Sequence, residues 1–334
     1  GNYASYCMLA CGNEPSGRWV PWVSKFVDYW KATDPRHVYT GASVGNSWQW
    51  QPHNQYHVKA GARGLSWTGA QPESTSDYRN RIDTVKQPYV SHETGQWCAF
   101  PNFNEIRKYT GVNKAKNFEI FRDILNDNYM GGMGHDFMMA SGKLQAICYK
   151  HEIEKTLRTP DYAGFQLLAL NDYSGQGTAL VGLLDVFFEE KGYINAAEFR
   201  RFCSPTVLLA RIPKFTYTNN ETFHADIEIS HFGKEALQKA NTVYCVKDKY
   251  GKIYARGVVS TRDIPIGNLF SLGSIDMKLN DIRTPQKLNL EVRLENSDIV
   301  NDWDFWVYPD KVKLTQGNVY TTDTLDEKAI SILQ

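Results

Sequence analysis

The apolar positions change period part-way along the chain. Up to about residue 204 short apolar runs alternate with stretches of helical periodicity, and beyond it apolar residues recur at every second position between turn signals. A domain boundary is therefore expected near Ser204 and Pro205, with residues 1–204 mixing strands and helices and residues 205–334 built from strands. The first run, residues 6–11, is followed by Pro15 and Ser16. Then come Trp19, Trp22, Val23, Phe26, Val27 and Trp30, one face of a helix ended by Asp34 and Pro35. That reads as strand, loop, helix.

Residues 37–40 are expected to form a second strand, 65–68 another and 77–85 a short helix. Between them residues 44–55 form a long aromatic loop, of the kind that is usually either functional or disordered. Residues 88–93 and 164–170 read as further strands. In the second half, residues 222–229, 242–246, 253–259 and 287–294 read as antiparallel strands of a β-sandwich of immunoglobulin-like size. Trp303, Phe305 and Trp306 are expected between its sheets or against the first domain.

One theme recurs in the first half: a strand whose C-terminal end delivers polar residues. Asn13 and Glu14 follow the first strand, His92 and Glu93 end another, and Asn171 and Asp172 close a third. In α/β barrels the active site gathers where loops converge over such ends, although an open doubly wound sheet shares the local pattern. Two carboxylates on two strand ends can face one cavity, the arrangement that cleaves a glycosidic bond: one acid protonates the leaving oxygen and the other carboxylate attacks or activates water. The plainer readings are a solvated Glu14 ahead of a helix whose dipole favours negative charge, and Glu93 as a loop acid beside a core tryptophan.

Composition narrows the classes. With 42% hydrophobic and 13% aromatic residues the 334-residue chain is expected to fold, in about two domains. Lys+Arg and Asp+Glu both number 37, and no basic stripe occurs, which disfavours electrostatic binding of nucleic acid. The most apolar stretch, residues 179–188, contains Asp185 and is too short to cross a bilayer. The six cysteines form neither a C-x-x-C pair nor a zinc cluster; metal binding by His53, His57, His92 or His135 stays open, although four scattered histidines are more often hydrogen-bonded loop or core residues. His92-Glu93 lacks the second histidine of a zinc protease, and neither a nucleophile elbow nor a Walker loop is present. No metal and no cofactor is expected. Gly175-Gln176-Gly177 reads as a turn. The chain opens on Gly1, close to an apolar run and without a signal-peptide pattern, as though cut from something longer.

Cys11-Gly12-Asn13-Glu14 after an apolar strand resembles the Gly-Asn-Glu signature at the fourth barrel strand of glycoside hydrolase family 2 and its clan. Residues 89–97, Tyr-Val-Ser-His-Glu-Thr-Gly-Gln-Trp, resemble the nucleophile strand of that family in a version associated with polysaccharide-degrading Bacteroides-type enzymes. Residues 165–181 resemble its last barrel strand. The resemblance implies the C-terminal portion of a (β/α)8 TIM barrel, about strands 4–8, followed by an immunoglobulin-like β-sandwich, with the N-terminal portion of the parent enzyme absent. It implies a retaining, exo-acting glycosidase, periplasmic or secreted, cleaving a terminal, β-linked sugar from an oligo- or polysaccharide.

Carried over by position, Glu14 is the acid/base, Glu93 the nucleophile, and Asn13 the residue that bonds the hydroxyl next to the anomeric carbon. Trp48, Trp50 and Trp97 are candidate walls for the sugar ring, and His53, His92, Asn171 and Asp172 candidate partners for its hydroxyls. The aromatic that commonly ends the last strand is replaced here by Leu170-Asn171-Asp172. The competing readings are a non-catalytic carbohydrate-binding or scaffold protein that keeps the fold, and an inert fragment of the enzyme.

Overall fold

The computed structural model describes residues 2–173, 177, 179–311 and 317–334. Strand β1 (Met8–Asn13) leads through helix α1 (Trp19–Thr33) to β2 (Val38–Ser43). The two strands run parallel, Met8 opposite Val38 and Asn13 opposite Ser43. Helix α1 buries Val23 and Val27 and stacks Trp30 on Tyr39, while Trp22 is turned to solvent at the end of the apolar stripe. Strands β3 (His57–Lys59), β4 (Tyr89–Thr94) and β5 (Tyr162–Leu167) form a second parallel sheet in that order. A parallel bridge from Val44 to Lys59 joins the two sheets, with Ala60 N–H donating to the Val44 carbonyl at 2.9 Å. Five parallel strands therefore stand side by side in chain order.

The long aromatic loop has a structural task beside any other. Its amide side chains take the place of a neighbouring strand along β2. Gln51 Oε1 accepts from Ala42 N–H at 2.8 Å while its Nε2 donates to the Ala42 carbonyl at 2.9 Å, and Asn54 Oδ1 accepts from Gly41 N–H at 2.9 Å. Such groups would otherwise be orphaned in a buried strand. The strand expected at residues 65–68 is a turn segment instead. Trp67 is apolar because it packs on His151 and Phe215, not because the backbone is paired. The true third strand is short and polar at both ends, which hid it. Helix α2 (Arg79–Ile82) is shorter than the expected 77–85, and β5 ends before residue 170.

Helices α3 (Lys116–Asp127) and α4 (Gly134–Leu157) lie between β4 and β5, and α4 supplies Tyr149 and Ile153 to a core with Leu183 and Phe202. After α5 (Ala196–Arg200), capped by Asn195 and Glu198, the chain becomes all β. Strands β6 (Thr206–Arg211), β7 (Thr216–Thr218), β8 (Thr222–His231), β9 (Leu237–Asp248), β10 (Ile253–Ile264), β11 (Gly267–Lys278), β12 (Gln286–Leu294) and β13 (Val300–Tyr308) form two sheets. Their orders are β10-β9-β12-β13-β7 and β11-β8-β6. Strict alternation buries Leu288, Leu290 and Val292 of β12 and Trp303 and Phe305 of β13 between them, with Phe305 stacked on Phe223 at 4.1 Å. Helix α6 (Glu327–Leu333), capped by Asp326, is the last element.

The two halves meet through polar groups beside the packing of Trp67 and His151 on Phe215. Ser74 N–H donates to the Ile212 carbonyl at 2.8 Å, and Ile212 N–H returns a bond to Ser74 Oγ at 2.9 Å. Deeper in, Glu154 of α4 is fully buried. It accepts from Asn301 Nδ2 at 2.8 Å and Trp303 Nε1 at 3.0 Å, with Lys150 and Arg158 as counter-ions. Burial alone would raise its pKa; Lys150 and the neighbouring cations instead hold it down to about 2. No helix among the described residues is long and apolar enough to cross a membrane.

Candidate active site

Two carboxylates meet at the C-terminal ends of β1 and β4. Glu14 follows β1 directly, and its N–H extends the ladder to the Ser43 carbonyl at 2.9 Å. In β4 the register against β5 slips between Ser91, opposite Phe165, and Thr94, opposite Leu167, so one extra residue bulges from β4. Bulges of this kind re-aim side chains. Glu14 and Glu93 both hold left-handed backbone, φ 44° and 53°, a conformation that costs a non-glycine residue on the order of 1–3 kcal/mol and persists only where the surroundings enforce it. At Glu93 the enforcement is visible. Arg63 Nη1 donates to the carbonyls of His92 at 2.6 Å and Glu93 at 2.8 Å, and Tyr149 Oη donates to the Gly95 carbonyl at 2.6 Å. Gly95, at φ 82°, presses so close to Tyr149 that a Cβ there would stand 2.0 Å from the ring.

The result is a compact acid pair. One carboxylate oxygen of Glu14, one of Glu93 and one ring nitrogen of His92 all lie within 4.8 Å of one another. Glu14 is exposed and Glu93 half-buried, so the pair faces an accessible notch. Glu93 accepts from Gln96 Nε2 at 3.2 Å and has Arg63 Nη1 at 3.7 Å. His92 is buried; its Nδ1 lies 3.1 Å from Gln166 Oε1, which can only accept, so Nδ1 carries the proton. Its Nε2 has no hydrogen-bond partner among the described residues and lies 3.6 Å from a Glu93 oxygen. Two carboxylates and an imidazole could also hold a divalent cation. Chemically, the arrangement offers two carboxylates close enough to act on one group.

The other candidates divide. Trp48 lies near the pair: a Cβ on Gly45 would stand 3.0 Å from its indole and 3.8 Å from Glu14 Oε1, so both side chains flank the bare glycine. Asn13 is exposed at the end of β1 beside Glu14. Trp97 is anchored instead by its indole N–H, which donates to buried Glu152 at 2.6 Å. Trp50 packs against His57 and Lys59, and His53 pairs with Asp28 of α1 at 2.7 Å; neither is joined to the acid pair by these contacts. Asn171 bonds the carbonyl of Asp172 at 2.8 Å. Asp172 is buried, paired with Lys191 at 2.5 Å and bonded to Gly182 N–H at 2.8 Å, which makes it a strut of its loop rather than an accessible ligand. Of the expected turn, Gly175 and Gln176 lie outside the described residues.

Sequence reasoning missed Arg63, Gln96, Gln166 and Tyr149. Placing the third strand at 65–68 concealed that Arg63 follows a strand end, and Gln166 lies inside β5, where alternation gives no hint of what it faces. A cavity of 730 Å³ opens elsewhere, between α4 and β13, lined by Trp67, His151, Phe215 and Trp306. It contains neither acid.

The chain resembles several solved glycosidases. A β-glucuronidase from Bacteroides uniformis aligns at 9% identity over 87% of this chain and 31% of that one, with TM-score 0.33. An exo-chitosanase from Amycolatopsis orientalis aligns at 13% over 91% and 36%, with TM-score 0.43. A putative β-galactosidase from Bacteroides fragilis aligns at 13% over 93% and 42%, with TM-score 0.35. The chain thus spans between 31% and 42% of the length of these solved chains. A family described as a domain of unknown function (DUF8488) matches residues 221–309, which run from β8 to β13 and include neither acid. No curated protein matches the chain.

Proposed function

We propose that the chain carries the carboxylate pair of a retaining glycoside hydrolase of the family 2 type, on five consecutive strands of a (β/α)8 barrel followed by a sandwich. The observation that carries this reading is the approach of Glu14 and Glu93 to within 4.8 Å across an accessible notch. Retaining enzymes keep their carboxyls roughly 5–5.5 Å apart so that one attacks the sugar directly; inverting enzymes leave roughly 6.5–9.5 Å for a water. The left-handed backbone under both acids supports the same reading, because strain of this kind clusters at functional sites.

In this mechanism Glu14 protonates the departing oxygen while Glu93 attacks the anomeric carbon. Glu14 then draws a proton from the water that releases the sugar. Arg63 fixes the backbone of Glu93, and Trp48, across Gly45 from Glu14, is the candidate wall for the sugar ring. Asn13 is the candidate partner for the neighbouring sugar hydroxyl. The substrate class is a terminal β-linked sugar of an oligo- or polysaccharide, handled in the periplasm or outside the cell.

The test is hydrolysis of a panel of aryl β-glycosides by the protein in its full natural length, with the first-formed anomer followed by proton NMR. The β anomer should appear first. Glu14→Gln should slow substrates with poor leaving groups far more than activated ones, since only the former need the proton. An α anomer appearing first, or equal losses on both kinds of substrate, would contradict these roles.

A further inference from the structure

Lys59, the last residue of β3, is 5% exposed, and among the described residues no acid pairs with it. Its ammonium donates to the Trp48 carbonyl at 2.5 Å and stands 4.3 Å from the centre of the Trp50 ring. Burial is the influence that lowers its pKa, and among the described residues no carboxylate lies within ion-pair reach. A buried cation without a counter-ion is costly. Buried Lys191, by contrast, faces Asp172, and part-buried Lys150 faces Glu154; buried Lys155 shares the condition of Lys59, lying over the Tyr78 ring with no ion pair among the described residues.

The position opens into a pocket of 420 Å³ lined by Asn46, Trp50, Lys59, Gly61, Arg81 and Tyr89, within the roughly 300–1,000 Å³ of small-molecule sites. The lining is rich in donors and free of carboxylates. An ammonium has three N–H groups and Lys59 spends one on Trp48. Arg81 has five and spends one on the Gly61 carbonyl at 2.7 Å. The Asn46 side chain lies against Gly61, where a Cβ would stand 2.4 Å from its Oδ1, so glycine is what lets the amide reach the pocket. Tyr89 already gives its proton to the Lys59 carbonyl at 2.6 Å, which fixes the floor.

We infer that this pocket binds an oxyanion, the carboxylate or sulfate ester of a charged saccharide, with Lys59 and Arg81 as the cations, Asn46 as a neutral donor and the part-exposed Trp50 as the ring contact. That the oxyanion is borne on a sugar rests on the hydrolase reading above; that the pocket takes an oxyanion does not. A guanidinium and an ammonium on the wall of one pocket whose lining holds no carboxylate suit the planar or tetrahedral oxygens of such a group.

The test is calorimetric titration of the chain at low ionic strength with sodium glucuronate, inorganic sulfate, inorganic phosphate and neutral methyl β-glucoside, with Trp fluorescence read in parallel. The oxyanions should bind and the neutral glucoside should not. Arg81→Gln, at an exposed position, and Lys59→Met should each weaken anion binding about tenfold or more, the loss expected for one charge-assisted hydrogen bond. Circular dichroism checks that each variant is folded. Glucuronate binding more tightly than either inorganic anion supports the sugar-borne form, and equal or weaker binding removes it. Absence of binding by all three anions, or binding unchanged in folded Arg81→Gln, overturns the pocket. If anions fail to bind while aryl glycosides are still hydrolysed, the pocket falls and the Glu14–Glu93 reading stands. If anions bind while hydrolysis is absent, the reverse holds.

Discussion

Glu154 and the Glu14–Glu93 pair show the two ways this chain uses a carboxylate. Glu154 is fully buried, and its oxygens are taken up by Lys150, Arg158, Asn301 and Trp303. Nothing of it remains for a ligand. Glu14 and Glu93 stand on strained backbone, one of them exposed, with Gln96 as the hydrogen-bond donor to the Glu93 carboxylate. Glu93 is held through the backbone beneath it, by Arg63, Gly95 and Tyr149, and Glu14 through its N–H to the Ser43 carbonyl, so that their oxygens are left available. A saturated acid joins domains; an under-partnered acid held from behind can react.

The comparison breaks first at Glu93. Glu93→Gln should lower turnover by at least about a thousandfold, as loss of a covalent nucleophile does, while changing stability by no more than about 0.5 kcal/mol, since the side chain makes few contacts. Kinetics and urea unfolding measure the two effects. The opposite pattern belongs to Glu154. Glu154→Ala leaves buried Arg158 and part-buried Lys150 without their anionic partner and should cost about 3–5 kcal/mol in urea unfolding, with turnover per folded molecule unchanged. A variant that loses activity in proportion to stability at both positions would erase the distinction.

Arg63 tests the intermediate case, a cation that acts on the site through backbone carbonyls. Arg63→Met removes both bonds that pin the bulge at Glu93 and should reduce kcat with little change in KM, by a factor on the order of 10 to 100, since a misplaced reacting group costs about that much. A change confined to KM would place Arg63 on the substrate instead. A last contrast, confined to stability, concerns Glu105, which is buried like Glu154 but unsatisfied at Oε2. Burial, with Asp185 nearby, pushes its carboxyl from the ordinary 4.5 up to about 7. The folded state therefore holds a proton that the unfolded chain releases. The contribution to stability is full below about 4.5 and is lost as pH rises to about 7. Glu105→Gln should flatten that part of the stability profile, and an unchanged slope would show that another group is responsible.

Much of this was legible in the sequence, for a physical reason: a strand end is marked by the change from apolar to polar residues, so Asn13-Glu14 and His92-Glu93 announce themselves. The period-2 alternation of β12 and β13 is equally plain because one face is buried and the other is not. What stayed hidden depends on pairing across the chain. Asp172 reads like Glu93, an acid beyond an apolar run, and only the position of Lys191 turns it into a buried strut. Trp97 reads as a free aromatic until Glu152 claims its N–H. Strand β3 is three residues long and carries His57 and Lys59, so no periodicity marks it, and with it went the significance of Arg63.

The most direct test of the central claim is to trap the covalent intermediate. A slowly released 2-deoxy-2-fluoro β-glycoside with a good leaving group, incubated with the full natural protein, should leave one sugar attached to the chain, and peptide mass mapping should find it on Glu93. Attachment to any other residue, or turnover of the parent glycoside with no attachment at Glu93, would contradict the account.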